Sequence, residues 1–180
     1  MNYPSVTQVL KPFADFSPVP PEVLDAAAER GQEVHRLCHL HAKGLWVDEV
    51  APECAGYFAS FQGWFDAYVE RVWLVEERLV CEVLGFTGEP DLVVTLRGDA
   101  RPSVWDLKTP RASAPTWRVQ VSAYRYLARK AGYDILRMGC LRLSPTGGAP
   151  ILEEYTQTVE RDFAVFLSAL NCWRFFHDRD

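Results

Sequence analysis

Apolar residues recur along this chain with a helical period in its first part and a strand period after it. From Pro21 to about Leu45, the residues Leu24, Ala28, Gly31, His35, Cys38, Ala42 and Leu45 return at three- and four-residue steps. That spacing predicts a helix with one inward stripe. A second helix is predicted from Pro52 to about Arg71, carrying Ala55, Phe58, Phe61, Phe65, Tyr68 and Val69. Ahead of both, Ser5-Val6-Thr7-Gln8-Val9-Leu10 reads as a short helix, with Ser5 as N-cap and Gln8 closing a capping box. Pro12 ends it, and the Pro18, Pro20 and Pro21 cluster makes the link to the next element.

Past Arg71 the period changes. Val72 to Leu84 predicts a strand or a hairpin, and Gly85 and Gly88 punctuate a second strand ending in Asp91-Leu92-Val93-Val94-Thr95-Leu96. Arg97-Gly98-Asp99 is a turn signal, and Ser103 to Lys108 predicts a third strand. A helix follows from Pro115 through about Ala131, then strands near Ile135–Leu143 and Ile151–Thr158, then an amphipathic helix on Phe163, Phe166, Leu170, Trp173 and Phe176. This order predicts an α/β fold, a central mixed β-sheet flanked by helices. The expected organisation is one domain over 1–180, its helical part about 1–71 and its sheet part about 72–180.

Composition narrows the class. With 48% hydrophobic and 24% charged residues, a soluble globular protein is expected. No apolar run is long enough for a membrane span, and Met1-Asn2-Tyr3-Pro4-Ser5 lacks the features of a signal peptide. The expected setting is therefore intracellular, in the cytoplasm, with no membrane partner. Cys38, Cys54, Cys81, Cys140 and Cys172 are dispersed, with no CxxC pair, which suggests free and mostly buried thiols and no closely spaced zinc set.

The net charge of −5 is unevenly spread. Between Arg101 and Arg142 lie nine basic side chains against only Asp106 and Asp134, so the rest of the chain is strongly acidic. An acidic body with one phosphate-facing surface would have this asymmetry, and so would a solvated basic helix face.

The chemistry concentrates in three short stretches. Gly88-Glu89-Pro90-Asp91 places an acid at one strand, and Trp105-Asp106-Leu107-Lys108 places a second acid and a lysine at the next. Asp106 and Lys108 point to one face of an extended strand. Gln120 and Tyr124 then fall one helical turn apart. Two carboxylates converging with an ammonium group can hold a divalent cation beside a phosphate, although D-x-K alone also describes a structural ion pair. His35 interrupts an apolar stripe, as a satisfied core histidine would, whereas His39, His41 and His177 have no supporting context. Arg118, Arg125 and Arg129 share a helix face and suit a phosphate backbone. Arg111 follows the lysine as a phosphate clamp. Trp117 and Tyr126 are either stacking platforms or core.

Taken together, Gly-x-Pro-Asp, D-x-K and Q-x-x-x-Y, in this order over nearly the whole chain, resemble the PD-(D/E)XK nuclease superfamily, in its RecB-type and phage exonuclease-like branch. Gly31-Gln32-Glu33-Val34-His35 matches that branch's Gly-x-x-x-His, and Ser5 to Leu10 resembles the opening of phage members. The resemblance implies a restriction-endonuclease-like core. It implies Mg²⁺ or Mn²⁺ held by Asp91, Asp106, the Leu107 carbonyl and His35. Lys108 would position the attacking water, Gln120 and Tyr124 would support the lysine, the metal waters or the DNA, and Glu76 or Glu77 would add an acidic outer shell. The iron–sulfur members carry a C-terminal cysteine cluster that Cys140 and Cys172 do not form, so no iron–sulfur cluster is expected.

What the resemblance implies for function is metal-dependent hydrolysis of DNA, single- or double-stranded, by an exonuclease of recombination, repair or replication, of phage or mobile-element origin. A homo-oligomeric ring or a recombination or helicase partner would fit so lean a chain, since a Walker A motif is absent. The competing expectation is a nuclease fold without catalysis, kept for binding DNA or protein.

Overall fold

The computed structural model describes residues 3–14 and 20–177, so Met1, Asn2 and Pro18 of the readings above lie outside the described residues. Helix α1 (Val6–Leu10) opens with the expected capping box. Ser5 Oγ accepts the Gln8 N–H at 3.1 Å, and Gln8 Oε1 accepts the Ser5 N–H at 2.8 Å. Two orphan donors at the helix start are thereby satisfied.

Helices α2 (Pro21–Ala42) and α3 (Pro52–Tyr68) each begin on a proline, whose missing N–H is no loss in a first turn. In α2 the inward stripe holds only in the second half. Val34, Leu37, Cys38, His39 and Ala42 are buried, whereas Ala28 and, beyond the helix, Leu45 are exposed. A helix of 22 residues outruns the sheet it covers, whose strands are seven residues or shorter. Helix α3 passes straight into strand β1 (Val69–Val75), ending earlier than its apolar pattern suggests.

Strand β1 makes no hairpin with the residues that follow it. Glu76, with φ at +50°, turns the chain away, and β2 (Leu79–Cys81) pairs instead with β3 (Phe86–Gly88) in a separate small sheet. The partner of β1 is β4 (Leu92–Leu96), which pairs antiparallel with β5 (Ser103–Lys108). Helix α4 (Pro115–Lys130) then crosses over to β6 (Met138–Arg142), parallel to β5, and β7 (Ile151–Glu154) closes the order β1-β4-β5-β6-β7. Helix α5 (Val159–His177) ends the described chain. The fold is α/β, with a five-stranded mixed sheet flanked by helices. No helix of the described residues is long and apolar enough to cross a membrane.

Strand alternation divides the core between the two faces. Leu92, Val94, Trp105, Leu107 and Leu141 pack with α2 and α3. Val93, Val104, Met138 and Cys140 pack with α1, α4 and α5. Because Val104 faces α4, so do Asp106 and Lys108, two and four residues further along β5. Four cysteines are buried and Cys172 is exposed.

Helix α3 contains two glycines in opposite surroundings. A Cβ on Gly56 would lie 1.8 Å from the Pro145 carbonyl oxygen, where the loop after β6 rests on the helix. That loop is anchored four residues on, at Ser60 Oγ, which accepts the Ser144 N–H at 3.0 Å. At Gly63 a Cβ would meet nothing within 4 Å. Gly56→Ala is therefore expected to destabilise the fold by about 1–3 kcal/mol. Gly63→Ala should stabilise it by about 0.5–1 kcal/mol through reduced freedom of the unfolded chain. Urea denaturation of the two variants checks the opposite signs.

Candidate functional site

The antiparallel register of β4 and β5 sets Leu92 against Trp105, so the next pair outward is Asp91 and Asp106. Two carboxylates thus meet at one end of the sheet, where β4 begins and β5 ends. Helix α2 approaches this end with His35 and His39, and α4 approaches with Gln120 and Tyr124.

Asp91 is a buried hub. Its Oδ1 accepts from His35 Nδ1 and from His39 Nε2, both at 3.0 Å, and its Oδ2 accepts the Leu107 N–H at 2.7 Å. His39 Nδ1 lies 2.8 Å from Glu76 Oε2, which puts that imidazole between two carboxylates. Glu76 reaches it from the left-handed residue ending β1, whose N–H contacts the Pro90 and Asp91 carbonyls at 3.2 Å each. The parallel ladder to β6 uses Val104 N–H and Lys108 C=O. By alternation, Leu107 turns its N–H and C=O to the other edge, toward Asp91.

Asp106, Lys108 and Gln120 close a second ring. Lys108 Nζ lies 2.5 Å from Asp106 Oδ2 and donates to Gln120 Oε1 at 2.9 Å. Gln120 Nε2 donates to Asp106 Oδ1 at 3.3 Å and to Tyr124 Oη at 3.1 Å. The pairing depends on helical spacing, since Gln120 and Tyr124 lie one turn apart on α4. Gly88 leaves room for the tyrosine, as a Cβ there would lie 2.8 Å from Tyr124 Cε1.

Burial raises the cost of every charge here, and the partners decide the outcome. Burial alone would push the Asp91 carboxyl up, but the charge and hydrogen bond of His35, with the bond from His39, hold it well below the usual range. His35 is opposed by burial, yet Asp91 lifts it above the ordinary histidine value. Burial raises Asp106 despite Lys108, and the charge of Asp91 adds to the rise. Lys108 is opposed by burial and raised by Asp106, while burial and the Asp106 charge raise Tyr124.

A polar cavity of about 340 Å³ opens over these groups, lined by Asp91, Asp106, Lys108, His35, Glu76 and Gln120 among others, with Ser5 to Thr7 forming one wall. The Thr87 N–H, bonded to the Pro4 carbonyl at 2.9 Å, pins that N-terminal wall. Ligand atoms of His35, His39 and Asp91 all lie within 4.8 Å of one another, so this group is able to hold a metal ion. Imidazole and carboxylate donors together suit a divalent cation. Each His39 nitrogen lies within 3.0 Å of a carboxylate oxygen.

The structure thus brings Asp91, Asp106, Leu107, Lys108, Gln120, Tyr124 and His35 to one place. It brings the arginines elsewhere. At 3.6 residues per turn, Arg118, Arg125 and Arg129 lie about 140° around α4 from Gln120 and Tyr124. Arg118 is committed to buried Asp162 on α5 at 2.9 Å. Arg111 is exposed in the loop after β5, where its carbonyl accepts from Arg142. Acids from outside the basic run pair with part of it. Arg137 meets Asp99 and Arg142 meets Glu153. Trp117 is buried, and half-buried Tyr126 packs against the core, stacked on Phe163 at 4.4 Å.

His39 is the site residue that sequence reasoning passed over. The available signal was its position, one turn after His35 on the same helix face. Glu76 was weighed only as one of two outer-shell acids, and its backbone turn distinguishes it from Glu77.

No protein-family model matches this chain, and neither does any curated protein. Among solved structures, it is similar to an alkaline exonuclease (LHK-Exo) from Laribacter hongkongensis. The likeness has a TM-score of 0.44 and 12% identity, and covers 96% of this chain and 89% of that one.

The paired shifts predict a pH window. Asp91 is lowered, so its contribution to stability is present above the ordinary aspartate value of about 4 and is lost as pH falls. His35 is raised, so its contribution is complete below about 6.5 and is lost as pH rises through its raised value. In metal-free buffer, the Tm difference between wild type and Asp91→Asn should be greatest between about pH 4 and 6.5 and shrink on either side. Calorimetric melts across pH check this, and a difference that does not vary with pH would contradict it.

Proposed function

We propose that this chain is a metal-dependent deoxyribonuclease that hydrolyses phosphodiester bonds in DNA, leaving a 5′-phosphate and a 3′-hydroxyl. The observation that carries this reading is the convergence of two carboxylates from adjacent strands with Lys108 in one polar cavity. Such a set makes poor core material and good phosphate chemistry. Asp91, Asp106, the Leu107 carbonyl and His35 hold Mg²⁺ or Mn²⁺ in this reading, and His39 joins them. Glu76 orients His39 through its far nitrogen, as carboxylates orient metal-bound imidazoles.

When bound, the cation supplies charge stabilisation to the phosphate and activates a water. The side chains do the rest. Lys108 has three N–H donors, of which Asp106 and Gln120 take two. The third is free to meet the attacking water or a non-bridging phosphate oxygen. Gln120 keeps the ammonium pointed into the cavity, and Tyr124 restrains the Gln120 amide. Arg111, exposed beyond the lysine, clamps a flanking phosphate.

Exonucleolytic action at DNA ends, in recombination, repair or replication of phage or mobile-element origin, is the form that the resemblance implies. No domain for reading a target sequence is apparent among the described residues.

End-labelled linear and circular DNA, single- and double-stranded, incubated with Mg²⁺, Mn²⁺ or EDTA, tests the reading. Cleavage is expected only with metal, and Lys108→Ala and Asp106→Asn should each lower it by about 10²-fold or more. Circular DNA left intact would identify an exonuclease. If folded wild type binds DNA but cleaves none of these substrates with either metal, the chain is a binding module instead.

A further inference from the structure

Outside the acidic centre, four of the guanidinium groups between Arg101 and Arg142 have acidic partners. Arg101 meets Asp134, Arg118 meets Asp162, Arg137 meets Asp99 and Arg142 meets Glu153. Arg111, Arg125 and Arg129 form no ion pair among the described residues, and the last two share a helix. Arg125 and Arg129 stand one turn apart on α4, where like charges repel. Arg125 is half-buried. Its Nη2 reaches only the Ile135 carbonyl, at 3.5 Å, and its buried Nε has no hydrogen-bond partner among the described residues. Burial and the neighbouring Arg129 pull its guanidinium below the usual arginine value.

These groups line a cleft of about 420 Å³ between α4 and α5. Lys130 joins them, with Nζ 5.5 Å from the Tyr126 ring centroid, and the stacked Tyr126 and Phe163 rings form an apolar wall. One acid, Glu160, shares the lining, so three cations face a single carboxylate. A half-buried, under-bonded guanidinium is costly unless an anion completes it. Paired arginines match the oxygens of a phosphate, and the cleft is large enough for a nucleotide.

We propose that the α4–α5 cleft is a phosphate-binding site, distinct from the acidic centre, in which Arg125, Arg129 and Lys130 grip a nucleotide phosphate or a phosphodiester of a nucleic-acid strand. It lies about 140° around α4 from Gln120 and Tyr124, so the phosphate held there is not the one facing Lys108. This inference stands independently of the proposed hydrolysis.

Titration calorimetry in EDTA at low salt tests it, with inorganic phosphate, deoxyadenosine monophosphate and a short single-stranded oligodeoxynucleotide as probes. The proteins are wild type, Arg125→Gln/Arg129→Gln and exposed-site Arg129→Gln alone, each checked by circular dichroism. Wild type should bind, and the double variant should bind at least about tenfold more weakly. Arg129→Gln should weaken in the same direction, and serves if the double variant does not fold. Binding of all three probes identifies the phosphate group itself as ligand, and binding of the oligonucleotide alone identifies a strand backbone. The proposal is overturned if wild type binds none of them, or if the arginine variants change nothing.

Discussion

A carboxylate sealed inside a protein stays charged only where donors replace the water it has lost. Asp91 is such a carboxylate, and its three donors come from two elements: His35 and His39 on α2, and the Leu107 N–H on β5. Each of these constrains a whole element. Helix α2 has to bury its second half against the sheet, with both histidines toward the strand ends, which accounts for the buried run from Val34 to Ala42. Strand β4 begins at Leu92, so that Asp91, just ahead of it, takes the Leu107 N–H with its side chain. The left-handed turn at Glu76 secures the same corner from the β1 side.

The second acid follows a different logic. Asp106 lies within β5 and points to the α4 face, where its partner is the lysine two residues on along the same strand. A buried ion pair of this kind contributes little net stability, since desolvation offsets the attraction. Its geometry is nevertheless closed by Gln120, which bonds both members. The two acids differ accordingly. Asp91 is held charged by imidazoles, whereas burial and the neighbouring charge of Asp91 push Asp106 the other way. Adjacent carboxylates with opposed shifts make up an electrostatically unsettled pocket, one that a cation entering between them would relieve.

The basic residues show how far charge in a window of sequence can mislead about a surface. Nine cations against two acids between Arg101 and Arg142 look like a binding face. Folding brings Asp99, Glu153 of β7 and Asp162 of α5 against that stretch and offsets part of the excess. What persists is local, at the α4–α5 cleft and at Arg111 in its loop.

The elements with strong local signals were legible in the sequence: the capping box at Ser5 and Gln8, the prolines opening α2, α3 and α4, and strand β5, whose alternation runs from Ser103 to Lys108. So was the shared face of Asp106 and Lys108, because a strand's period of two determines it without reference to anything else. Pairings between distant segments were not legible. The Val72–Leu84 stretch reads equally as a hairpin, and only the turn at Glu76 and the availability of β4 as a partner send it elsewhere. His39 carries the same chemistry as His41, two residues away, and locally only its place one turn after His35 separates them. The approach of α2 to the sheet makes one a neighbour of Asp91 and leaves the other beside Asp66. Which residues could meet was set by helix and strand periodicity along the chain. Which of them did meet was decided by how the layers pack, because burial of charge selects the one arrangement in which each carboxylate finds its donors.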